Sequence, residues 1–173
     1  MKTTTRAMVA ITMAAGLAAG AKSVRADQVP LLYAGPATGE ATVRAEELER
    51  EARTLFSQPK AYGRAAKLLQ KAAAERVPGD PERVKDLQLA SRLAFYRGDE
   101  WKALDLMTQA ANEALSSGDV ISAAHHFADA AFLAKEGKRP AEAKDLAARA
   151  AMLAGSPLID SKAREAILAR VQA

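Results

Sequence analysis

The chain has 173 residues, of which 42 are Ala; 49% are apolar, 27% charged and 5% aromatic, and there is no Cys. That length holds one domain with a real core, and the composition is too apolar and too balanced in charge for a disordered chain. The lack of Cys excludes disulfides, thiolate zinc sites, cysteine nucleophiles and lipid attachment through Cys.

The formal charge of +4 is unevenly placed. Residues 1–26 hold Lys2, Arg6, Lys22 and Arg25 and no acid, which leaves 21 basic against 21 acidic residues in the rest. A nucleic-acid binder carries its basic excess in the folded part. None is present here, so no nucleic-acid partner is expected.

In chain order, residues 1–26 read as a secretory signal peptide. Lys2 and Arg6 form a positive start, Ala7–Ala21 is uncharged, and small-x-small patterns end at Ala21 and at Ala26. The uncharged run is short and Ala-rich for a membrane span. The expectation is an exported chain, periplasmic or extracellular and bacterial in character, with no stable span once the signal is removed. Residues 27–42, with two Pro and two Gly, read as a flexible linker carrying one apolar knot at Leu31, Leu32 and Tyr33.

From Val43 on, apolar residues recur at three- and four-residue steps, the helical period. Stop and start signals divide this stretch into seven helices, at about 43–56, 60–76, 81–97, 100–116, 120–136, 140–153 and 157–171. Asp80, Asp99 and Asp119 stand where N-caps belong, and Gly98, Gly118 and Gly137 where helices close.

The helices repeat in pairs. Leu48, Ala52 and Leu55 correspond to Leu87, Ser91 and Ala94, and then to Phe127, Ala131 and Ala134, with shifts of 39 and 40. Ala65, Leu69 and Ala72 correspond to Ala103, Met107 and Ala110, and then to Ala143, Ala147 and Ala150, with shifts of 38 and 40. One hairpin cannot bury its apolar face, whereas stacked hairpins share a continuous core. Ala at the crossings allows close approach and favours the helix.

The middle unit, LQLASRLAFYRGDEWKALDLMTQAANEAL, resembles a tetratricopeptide repeat. Leu87, Gly98, Ala103, Met107 and Ala110 match that family's pattern at its spacing, while Ala94 stands where the family has an aromatic. The resemblance covers about residues 43–153. It implies an all-α fold of antiparallel helix hairpins, about three units plus a C-terminal capping helix, wound as a short right-handed solenoid over 43–173. A plain helical bundle is the alternative.

The residues offer little for catalysis. His125 and His126 are the only histidines, and neighbours on a helix diverge by about 100°, so they cannot share one metal. His125 with Asp129 gives two ligands, below the three or four of a zinc site. There is no nucleophile elbow and no Gly-rich phosphate loop. No enzyme activity, cofactor or metal is expected.

The resemblance implies a concave groove lined by the first helix of each unit. On this register it includes Glu49, Arg53 and Phe56; then Lys85, Gln88, Arg92, Phe95 and Tyr96; then His125, Asp129, Phe132 and Lys135. Arg and aromatic side chains are the usual hot-spot types at interfaces. The same aromatics could instead pack between units. The reading is an adaptor or assembly factor that holds a partner peptide or helix. A self-associating structural domain is the alternative, and an envelope enzyme or enzyme subunit has the least support.

Overall fold

A computed structural model describes residues 39–172. The expected export signal, and the expected linker up to residue 38, lie outside the described residues. Among these there are seven α-helices and no strand: α1 (Gly39–Thr54), α2 (Tyr62–Glu75), α3 (Pro81–Tyr96), α4 (Glu100–Ser116), α5 (Val120–Glu136), α6 (Pro140–Ala154) and α7 (Ser161–Gln172). Each of α1 to α6 packs against the next, and α7 packs on both α5 and α6. This is a helical-repeat stack closed by a terminal helix. No described helix is long and apolar enough to cross a membrane.

The boundaries follow local chemistry. α1 starts ahead of Val43, so Gly39–Thr42 is helical rather than linker; Glu40 in its first turn suits the positive end of the helix dipole. A 3-10 turn, Pro59–Ala61, leads into α2. Asp80, Asp99 and Asp119 cap α3, α4 and α5, accepting from the backbone N–H of Glu82, Lys102 and Ser122. α7 starts at Ser161, later than Pro157 suggests, because Asp160 is its cap and accepts from Ala163 N at 2.8 Å. Arg164 then reaches back, and its Nε donates to the Ala154 carbonyl at 2.8 Å, satisfying an open acceptor at the end of α6.

The three central turns share one geometry. The N–H groups of Asp99, Asp119 and Arg139 donate to the carbonyls of Ala94, Ala114 and Ala134, and the residue before each is left-handed, Gly98 at φ 82°, Gly118 at φ 83° and Lys138 at φ 58°. This is the helix-terminating motif in which Gly is favoured. Its positions recur every 20 residues, so the single helix with its turn is the repeating step and the 40-residue shift is two of them. Gly137 closes α5 as its C-cap, at φ −74°, and the next residue, Lys138, takes the left-handed place at a cost of about 1 kcal/mol.

Most of the buried apolar residues are Ala, with Leu69, Leu104, Leu106, Phe127 and Ile167 as the large fillers. Ser91 shows why a small residue is needed at a crossing. It is fully buried on α3, and its Oγ donates to the Ala103 carbonyl of α4 at 2.7 Å.

A buried ionic cluster joins the first three helices. Arg76, just past α2, donates from Nε to Asp86 Oδ2 of α3 at 2.9 Å and from Nη2 to Glu49 Oε2 of α1 at 3.0 Å. The Arg76 and Asp86 side chains are only 5% and 2% exposed. Burial pushes the Asp86 carboxyl up to about 6, against the pull of the Arg76 hydrogen bond and charge. Burial opposes the Arg76 charge as well, but the hydrogen bond to Asp86 and the charges of Asp86, Asp80 and Glu49 outweigh it and raise its pKa.

Candidate interaction groove

The stripe Lys85, Gln88, Arg92, Phe95 on α3 has helical steps of three, four and three, so these side chains share one face. His125, Asp129 and Phe132 do the same on α5. The buried Ala and Leu positions turn the opposite faces of both helices into the core. Two clefts therefore open along the α3 and α5 faces.

The wider cleft, about 510 Å³, gathers Lys85, Gln88 and His125 with Asp119, Ser122 and His126. Lys85 is paired with Glu82. Hydrogen bonds from Ser122, side chain and backbone, hold Asp119 below the usual carboxylate range. His126 is 7% exposed, and burial lowers its pKa, which favours the neutral ring. Among the described residues no group of three metal-ligating side chains comes together.

The narrower cleft, about 160 Å³, brings together Arg92, Phe95, Tyr96, Asp129 and Phe132. Phe95 and Phe132 meet edge to face with centroids 6.2 Å apart, which ties the second unit to the third. Tyr96 stands 70% exposed beside them. Arg92 forms no hydrogen bond or ion pair among the described residues.

The remaining predicted residues lie elsewhere. Glu49 turns to Arg76 and Arg53, so it helps anchor the first hairpin. Phe56 packs against the core cluster of the first two units. Lys135 lines a separate shallow cleft with Phe132, Lys144 and Val171.

One groove residue, and one ring beside the groove, escape the sequence reading. Arg170 of α7 donates from Nε to Asp129 Oδ1 at 2.8 Å, and its guanidinium lies 4.7 Å from the Phe132 ring centroid. It is 41 positions from Asp129, so no local spacing marks it. Tyr62, at the start of α2, stands 6.3 Å from Tyr96 between ring centroids. An isolated Tyr at a helix start gives no sequence signal for such a partner.

Comparison of the chain with protein-family models, with curated proteins and with solved structures gave no match.

Proposed function

We propose that this is an exported interaction module of the tetratricopeptide-like kind, an adaptor or assembly factor that holds a protein partner along α3 and α5. The observation that carries the reading is the narrower cleft: Arg92, with no hydrogen bond or ion pair among the described residues, beside Phe95, Tyr96 and Phe132 on a helical frame. Arg and aromatic side chains in a pocket are the residues that concentrate binding energy at interfaces. The signal-like start and the formally neutral remainder support action outside the cytoplasm without nucleic acid.

Arg92→Glu with Phe95→Ala tests it. The double variant should keep its helical circular dichroism and lose at least tenfold of the partner recovered by the unaltered chain. Unchanged recovery on a folded variant would refute the groove. Light scattering on the same samples separates the alternative, a self-associating structural domain, because that reading requires a mass that rises with concentration.

A further inference from the structure

His126 is a buried histidine that the groove reading leaves unused. It lies at the joint of the second and third units and lines the wider cleft together with Val84 and Gln88 of α3 and Ala114 of α4. Only 7% of it is exposed, and its Nδ1 is sealed from solvent with no hydrogen-bond partner among the described residues.

That sealed nitrogen decides which form of the ring fits the seat. A neutral imidazole has one N–H and one bare nitrogen, whereas the imidazolium has an N–H at both. Sealed N–H groups without an acceptor are rarer than sealed acceptors without a donor. In its seat the ring is therefore neutral, with the proton on Nε2. Protonation would add a charge and an orphaned Nδ1–H to the same buried place, and both are costly there.

The cleft beside the seat offers the charged ring another position. It holds about 510 Å³, far more than one ring needs. Asp119 and Ser122 stand seven and four positions before His126 on the same face of α5, and both line the cleft. Helical side chains lean toward the N-terminus, so a ring that swings out leans toward both. Hydrogen bonds from Ser122 keep Asp119 charged as pH falls.

Burial opposes the charged ring most strongly; Asp129 and Asp119 of α5 favour it, while His125 of α5 and Arg92 of α3 oppose it. Lys85 of α3 is tied to Glu82. α4 and its C-cap add Ala114 and Ser117, which carry no charge, and α6 and α7 contribute nothing to the lining.

We propose that His126 is an acid-operated gate of the wider cleft: seated and neutral near pH 7, it swings into the cleft toward Asp119 and Ser122 when protonated. The cleft is then open near neutrality and occupied by the imidazolium at acid pH. The gate is independent of what the narrower cleft holds.

The test is NMR on the full chain with labelled histidine, from about pH 8 to about pH 5. At the upper end the His126 ring should carry its proton on Nε2. As pH falls it should titrate below a histidine in a short peptide, and contacts from the ring to Asp119 and Ser122 should grow with the same midpoint. The ratio of swung-out to seated rings should rise by up to about tenfold per pH unit. The Val84 methyls and the Gln88 side-chain amide report the change in the cleft. They should lose that midpoint in His126→Gln and keep it in His125→Gln. The titration uses the unaltered chain, so it decides the matter even where His126→Gln folds poorly. The gate is refuted if the neutral ring carries its proton on Nδ1, if it titrates at or above the peptide histidine, or if it titrates with no new contact to Asp119 or Ser122. It is refuted equally if the ring stays neutral until the helices melt, or if the cleft signals keep their midpoint in a folded His126→Gln.

Discussion

Arg76→Met is expected to lower stability by about 3–5 kcal/mol at pH 7, the range for removing one partner of a buried ion pair. The substitution keeps most of the volume but strands the Asp86 carboxylate, which is 2% exposed and accepts from Arg76 Nε at 2.9 Å. Glu49 loses its Arg76 hydrogen bond as well. Domains of this size have about 5–15 kcal/mol to lose, so the variant should approach the threshold of folding.

The pH dependence has a definite sign. Asp86 has its pKa raised from 3.8 to about 6, so its contribution to stability is full below the unfolded value and declines as pH rises toward 6. In Arg76→Met the hydrogen bond and charge that pull this carboxyl down are gone, and its pKa rises further. The variant then goes on losing stability above pH 6, where the parent has levelled off, by up to about 1.4 kcal/mol per pH unit. Urea melts at pH 5 and pH 7 should therefore show the smaller deficit at pH 5. A double change, Arg76→Met with Asp86→Leu, should recover most of the loss, because an apolar pair replaces a charged pair at little net cost. Equal deficits at both pH values, or no recovery in the double variant, would show that the cluster is not a coupled buried pair.

Phe127→Ala is expected to cost about 3–5 kcal/mol. Phe127 is 1% exposed on α5 and is the largest of the fully buried side chains. Its cluster is built largely of Ala on four helices, including Ala94, Ala103, Ala124 and Ala150. Ala has no rotamers with which to refill a void, and the helix spacing is fixed by backbone approach, so the cavity stays open. A shift of the urea midpoint at unchanged slope measures the loss. A cost near 1 kcal/mol would mean that the helices slide to fill the space. Tyr96→Ala, at the exposed end of α3, should change stability by no more than about 0.5 kcal/mol.

Much of the fold is written locally. Gly98-Asp99 and Gly118-Asp119 mark two helix ends and two helix starts at once, and the structure uses both pairs in that way. Where punctuation is ambiguous the boundary moves. Gly39 and Thr42 are poor helix formers and read as linker, yet α1 begins there. Gly137 draws attention to itself, while Lys138 carries the left-handed turn because the 20-residue step ends there.

The site was legible only in part, for a physical reason. Helical periodicity sets Arg92 with Phe95 and Asp129 with Phe132 on one face of their own helices, the tetratricopeptide resemblance set the two pairs side by side, and the structure brings them into one cleft. Periodicity does not say which helix lies opposite. Arg170 reaches Asp129 from α7, and Glu49 is drawn inward by Arg76, across separations of 41 and 27 residues. Partner choice among charged side chains is a tertiary fact, and the first unit of the expected groove lost Glu49 to it.

The most direct test of the groove is a photo-reactive residue placed at Tyr96, with a second at Met152 as control, in the cell that makes the protein. Both positions are exposed to a similar degree, 70% and 71%, but Met152 lies on α6, outside both clefts. The account predicts a discrete protein adduct from Tyr96 that disappears with Arg92→Glu, and none from Met152. Adducts from Met152 with none from Tyr96 would contradict it.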